Sequence, residues 1–376
     1  MHNPFTVALN NGNLEVQVKP SSYSISGLLE FASRENPNRS FLFLSKVLGK
    51  YIPCLPSKMR QTYLDLNKKI SIKGNCLVLG VAETATGLGA GVADVLSDNS
   101  EHNVYYVQTT RFDCNEPIAF DVFESHSHAP QHLIYDISEN IDIESITEVV
   151  LVDDEISTGN TLNQLTLGMC KYLPNLKRVH WVSLVDWMSE QTESFFAEMN
   201  DKVEIQFHSL LKGEFSFFKT NNKVIEFPKA TATELSKAIC RTDMGRKGAT
   251  IEQLKSQSFY SPEGDKVMPE SFLKSKEYVV VGTGEFIFQP FLFAEAMEAE
   301  GIDVLFESTG RSPIIQGGSI SSKLKFYDPG NSANYYLYNL PEDRTPIIMY
   351  ENREQYTHCP LHKLLNAQAV IMGNPQ

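Results

Sequence analysis

The stretch VVLVDDEISTGNT, residues 149–161, decides how this chain is read. An apolar run without alternation leads into Asp153 and Asp154, as expected of a strand buried on both faces of a parallel sheet. The adjoining TLNQLTLGMCKYL puts Leu162, Leu165, Met169 and Leu173 on one helical stripe that Pro174 ends. Residues 157–161 therefore join a buried strand to an amphipathic helix. Free N–H groups at such a helix start, reinforced by the helix dipole, form a cradle for a phosphate. Gly159 lets the backbone approach a ligand, Ser157, Thr158 and Thr161 add hydroxyl donors, and Asn160 completes the loop. The two carboxylates just before the cradle are placed to accept hydrogen bonds from the vicinal diol of a phosphorylated ribose. Acids at a strand end also cap helices, and threonine-rich turns are common N-caps. The whole ungapped order, strand then acids then loop then helix, favours the ligand reading.

Working outward, the same alternation recurs. CLVLGV (76–81) and VYYVQT (104–109) read as strands, and HWVSLVD (180–186) as another. After the first of them, ETATGLGAGVADVL carries Leu88, Val92 and Leu96 at helical spacing. Strands alternating with helices predict right-handed βαβ units and a mostly parallel sheet. Composition shifts over 211–248, where aromatic residues mix with turn formers. A second α/β segment then opens with EYVVVG (277–282), a helix starting at Pro290, and the strand DVLFES (303–308). The expected organisation is a first domain over 1–215, a linker over 216–245, and a smaller α/β domain over 246–376.

The composition bounds the function. The chain has 376 residues and a net charge of −13. That balance argues against a general nucleic-acid or anionic-membrane binder, leaving room for a local basic pocket. No apolar run is long enough to span a membrane, and the start MHNPFTVALNNGN lacks the layout of a signal peptide. The six cysteines are scattered without a CxxC pair, so a reduced, cytoplasmic protein is expected. No Walker A motif is present.

The stretch 149–161 resembles the PRPP-binding signature of type I phosphoribosyltransferases: apolar strand, two acids, and a small-residue loop ending in T-G-x-[ST]. SKVLGKYIPCLPSKMRQTY (45–63), GVAETATGLGAGVADVL (80–96), HSHAPQH (126–132) and ESTGRSPI (307–314) extend the likeness. They resemble a two-domain family that joins an orotate-phosphoribosyltransferase-like domain to a carboxy-terminal domain named for a Thr-Arg-Ser-Pro motif. Its members are associated with bacterial tellurite-resistance and stress-response gene clusters. Here Gly310 intervenes between Thr309 and Arg311-Ser312-Pro313.

The resemblance implies a type I phosphoribosyltransferase-like, mostly parallel sheet flanked by helices, and transfer of a 5-phosphoribosyl group from Mg²⁺·PRPP to a base-like acceptor. Asp153 and Asp154 would hold the ribose hydroxyls and stabilise a cationic sugar; residues 157–161 would anchor the 5′-phosphate. Ala82, Glu83 and Thr84 would hold pyrophosphate, although a carboxylate there repels it unless Mg²⁺ intervenes or the side chain turns away; Glu83 capping its own helix is the other reading. Gly87, Gly89 and Gly91 are read as allowing close packing. No direct protein ligand to Mg²⁺ is expected, since this ion keeps several waters.

The long connection from Arg111 to about Ile143 would be a lid. It contains no lysine, and Arg111 at its base is its one permanent cation. His126, His128 and His132 could contact pyrophosphate or base, serve structure, or bind metal. Lys50, Lys58 and Arg60 could meet an anionic ligand or solvent. In the second domain, residues 282–286 could bind phosphate or nucleoside, and Arg311 is the candidate for recognising an anion. The three residues His358, Cys359 and His362 only superficially suggest a metal site. The expected partners are PRPP and a base-like small molecule, with homodimerisation left open. A non-catalytic PRPP or nucleotide sensor is the alternative, and a scaffold in a stress-response complex a third reading; fold analogy alone does not choose among them.

Overall fold

The computed structural model describes residues 4–36, 39–123, 131–220, 236–237 and 245–373. Its larger sheet has eight strands. Five run parallel, in the order Glu204–Lys219, Arg178–Asp186, Glu148–Ile156, Cys76–Gly80, Val104–Gln108. Cys76–Gly80 is buried at every position, as its unbroken apolar run requires, and Glu148–Ile156 is buried through Val152 before opening at its three acids. Helices Ala85–Asp98 and Asn160–Tyr172 follow these two strands, with Leu88, Val92, Leu162, Leu165 and Met169 buried.

The helix spanning Ala85–Asp98 lies unusually close to the sheet because glycines face each other there. A Cβ on Gly89 would come within 2.6 Å of the Gly80 Cα, and one on Gly91 would strike the Tyr63 ring. These contacts agree with the packing role expected of the glycines. Gly87 does the same work across a different boundary: its neighbour is Ile287 of the carboxy-terminal half.

Glu204–Lys219 continues for sixteen residues through the region where composition changes. Its first part pairs in parallel with Arg178–Asp186, and its second part, from Gly213, pairs antiparallel with Gly12–Val18. The aromatic residues there form packing contacts: Phe215 meets Phe41 edge-on and Phe217 meets it at a tilt, and Phe215 also meets Phe43 and Trp187. At the opposite edge, Ala249–Thr250 pairs with Val104–Gln108.

The smaller sheet has five strands, in the order Phe259–Tyr260, Gln368–Met372, Thr345–Tyr350, Glu277–Gly282, Asp303–Ser308. The last four are parallel. Its helix begins at Phe288, two residues before the expected Pro290, because a proline in the first turn forfeits only an N–H that has no helical partner. The two sheets are stitched together by backbone. Cys54 and Phe306 exchange hydrogen bonds of 3.0 and 2.8 Å, and Glu35 N donates to Pro313 O at 3.0 Å.

The larger sheet's strand order places its topological switch point between Cys76–Gly80 and Glu148–Ile156: the chain leaves the first toward one edge and returns to the other side of it. In open α/β sheets, ligands bind beyond the carboxyl ends of strands at such a point.

Candidate active site

At that switch point lies a cleft lined by Ala82, Glu83, Thr84, Arg111, Asp153, Asp154, residues 157–161 and Arg311. The structure thus brings together segments separated by up to about 230 residues of sequence. Two helices aim their N-termini at this cleft. The helix from Ala85 has Thr84 at its N-cap, and the helix from Asn160 has Gly159; neither terminus carries a side-chain cap. Each presents first-turn N–H groups and the positive end of a dipole, the elementary requirement of an anion site.

Gly159 adopts φ +76°, and a Cβ there would meet Phe196, Met188 and Trp181 at 2.7–3.0 Å. Both the conformation and the space call for glycine. Between the helix termini stand the carboxylates. Asp153 accepts a hydrogen bond from the Asp154 N–H at 2.9 Å. The Asp154 carboxyl is pushed up to about 7, first by desolvation on the floor of the cleft and then by the charge of Glu155. Glu155 in turn pairs with Arg39, whose guanidinium lies over the Phe41 and Phe43 rings.

The Ala82–Glu83 peptide is cis. Ala82 N donates to Thr109 Oγ1 at 2.8 Å, and Arg111 donates to Ala82 O at 3.1 Å. Glu83 neither caps its helix nor stands alone. Its Oε2 accepts from Arg311 N at 3.1 Å and lies 3.4 Å from Lys50 Nζ. Lys50 is fully buried and also donates to Thr309 O at 2.7 Å; desolvation lowers its pKa from the ordinary lysine value. The Glu83 charge is therefore met by a lysine and a backbone N–H, which removes the repulsion that a free carboxylate would present to an anion.

Other sequence candidates fall elsewhere. His132 is buried, with Nδ1 3.0 Å from Thr109 Oγ1, so it supports the loop instead of facing the cleft. His126 and His128 lie outside the described residues. Arg60 bridges Asp94 and Glu295 at 2.7 and 2.6 Å. The turn at 282–286 holds no ligand-ready cradle: Glu285 is buried and accepts from Thr110 Oγ1 at 2.7 Å, Arg111 N at 2.9 Å and Arg246. His362 bonds the Tyr350 hydroxyl at 2.8 Å and stacks on Tyr356. Among the described residues no group of three His, Cys, Asp or Glu is arranged to hold a metal.

The cleft also includes Arg34, Arg39, Leu42 and Phe43, which no motif announced, together with Tyr51 and Ser312 from the stretches 45–63 and 307–314. Tyr51 has φ 72°, unusual for a bulky residue, and its carbonyl is held by Asn339 Nδ2 at 2.9 Å. A tyrosine in a left-handed turn within a proline-punctuated segment is invisible to periodicity.

Comparison with known proteins defines the class. Residues 28–214 match the family model PRTase_2, a phosphoribosyl transferase. Residues 243–367 match the model of the TRSP domain, which lies C-terminal to PRTase_2. The chain belongs to the family in which these two domains occur in series. No curated protein sequence matches it. Similar solved structures include adenine phosphoribosyltransferase from Trypanosoma brucei in complex with AMP, pyrophosphate and ribose-5-phosphate, at 14% identity over 55% of this chain and 87% of that one, with a TM-score of 0.35. Orotate phosphoribosyltransferase from Aeropyrum pernix shares 16% identity over 46% of this chain and 78% of that one, with a TM-score of 0.27.

Proposed function

We propose that the cleft binds PRPP and transfers its 5-phosphoribosyl group to a nitrogen of a base-like acceptor, releasing pyrophosphate. The observation that carries this reading is the pair of uncapped helix N-termini on either side of Asp153 and Asp154. PRPP has two anionic ends joined by a diol-bearing sugar, and the cleft offers two anion sites separated by two diol acceptors. Residues 157–161 would take the 5′-phosphate, and residues 82–84 with Arg111 the pyrophosphate. Asp153 and Asp154 would hold the ribose hydroxyls and stabilise positive charge as the bond from C1 to the leaving oxygen lengthens. Mg²⁺ would arrive with PRPP and screen the pyrophosphate charge; the partly open carboxylates of Asp153 and Asp154 suit it through water.

The net charge of −13 gives a further reason for this arrangement. The protein's overall field does not attract a polyanion, so fixed N–H groups and a few cations must hold it. The protein would act in the cytoplasm, where its free cysteines stay reduced. The domain division at 1–215 and 246–376 belongs to the same proposal, with catalysis assigned to the first part.

Turnover separates an enzyme from a PRPP sensor. Incubation with Mg²⁺, PRPP and a panel of purine, pyrimidine and pyridine bases should release pyrophosphate only with the right acceptor. Binding of PRPP with no release from any base, nor from cell extract, would instead establish the sensor.

A further inference from the structure

We propose that Arg311, from the carboxy-terminal half, is the cation that receives the departing pyrophosphate, so that the active site is complete only when both halves are present. This rests on the PRPP reading above. The sequence between 112 and 143 contains neither lysine nor arginine. The connection from Phe112 to Ile143 therefore carries carboxylates and imidazoles, but no permanent positive charge. Leaving-group charge must be met from elsewhere.

Three cations surround the loop at 82–84. Lys50 is fully buried and engaged by Glu83 and Thr309 O. Arg111 is buried, with its guanidinium bonded to Ala82 O. Arg311 lines the cleft as Arg111 does, but unlike Arg111 and Lys50 it is partly open. Its position is fixed at both ends. The backbone N–H donates to Glu83 Oε2 at 3.1 Å, and Nε donates to the Tyr335 hydroxyl at 3.2 Å. The guanidinium carbon lies 5.0 Å from the Phe112 ring centre and 5.5 Å from that of Tyr335. Two aromatic rings and a hydroxyl thus pre-set the plane of the guanidinium, which suits two-pronged recognition of phosphate oxygens.

The motif around Arg311 is built to keep it there. Gly310 exchanges backbone hydrogen bonds with Tyr336, and the next turn is tied to the first half through Pro313 O and Ile315 N. A side chain on Gly310 would crowd Lys50 Cε at 3.0 Å, so the extra glycine lets the loop descend onto the Lys50–Glu83 pair. In the reaction, the bond between ribose C1 and the pyrophosphate oxygen breaks with its electron pair going to that oxygen. The acceptor nitrogen forms the new bond to C1 and releases its proton to solvent. Arg311 stabilises the negative charge gathering on the leaving oxygen.

The test is calorimetry on the full chain with Mg²⁺, titrating pyrophosphate, PRPP and ribose 5-phosphate separately. Arg311→Gln should weaken pyrophosphate and PRPP by about 10- to 100-fold and leave ribose 5-phosphate within about twofold, as expected for loss of a charge-assisted contact to one end. Arg311→Lys should recover part of the loss. Tyr335→Phe removes only the hydroxyl that orients Nε; it should melt like the parent protein and weaken pyrophosphate by a smaller factor, which carries the test if the glutamine variant does not fold. Unchanged pyrophosphate binding in both Arg311→Gln and Tyr335→Phe, or equal loss of all three ligands, would overturn the role of Arg311. If the parent protein itself binds neither PRPP nor ribose 5-phosphate, the PRPP reading falls first and this role with it.

Discussion

Asp154 shows how one side chain can be both a liability and a tool. Its carboxyl titrates near 7 in the ligand-free protein because the cleft floor desolvates it and Glu155 adds like charge. In the unfolded chain an aspartate titrates near ~4. Its neutral form is therefore favoured by folding, and the stability this supplies is intact below ~4 and lost as pH rises toward 7. Asp154→Asn should raise the melting temperature slightly at pH 5, where part of that stability is already lost, and by a few degrees at pH 8. Melting curves at the two pH values check this; a variant stabilised equally at both would contradict it. The residues of this site differed in how far sequence could disclose them. Asp153, Asp154 and residues 157–161 are consecutive, so their pattern is legible. Arg34, Arg39 and Tyr51 enter the cleft singly, outside any periodic pattern, and only tertiary contact assembles them.

Elements are where sequence patterning was strongest, and where its exceptions are instructive. Buried parallel strands and their helices announce themselves by unbroken apolar runs and 3.6-residue stripes. Glu204–Lys219 does not, because its first half is a parallel core strand and its second half an antiparallel partner of Gly12–Val18 with exposed alternate residues. The connection that follows Arg111 is likewise mixed. Its strands Ile118–Phe123 and Gln131–Tyr135 form a hairpin that lies along the helix from Asn160, with Phe120 seated on Gly168. The loop–helix junction at Gly159 is the element on which the proposed phosphate site depends. Gly159→Ala should destabilise the protein by ~2–4 kcal/mol, from the left-handed backbone and from overpacking against Phe196, Met188 and Trp181. Denaturant titration measures this, and phosphate-bearing ligands should bind more weakly to whatever folds. A loss below ~0.5 kcal/mol would mean the junction relaxes freely.

At the scale of the molecule, the two halves share buried charge. Arg246 is held between Glu285 and Glu351 at 3.1 and 2.6 Å, and Glu285 also fixes Thr110 and Arg111 of the first half. A buried arginine needs such partners, since an uncompensated charge there is strongly destabilising. The glycine-bearing turn at 282–286, a candidate phosphate or nucleoside site in the sequence, carries the glutamate that bolts the halves together. No local pattern distinguishes these uses, because the partner residues lie 39 to 175 positions away. The central claim is that Asp153, Asp154 and two uncapped helix termini together form a PRPP site. Calorimetric titration of PRPP with Mg²⁺ into the parent protein and into the Asp153→Asn/Asp154→Asn variant tests it most directly. The parent should bind, and the double variant should bind at least about tenfold more weakly for want of the diol acceptors; no binding by the parent, or undiminished binding by the variant, would contradict the assignment.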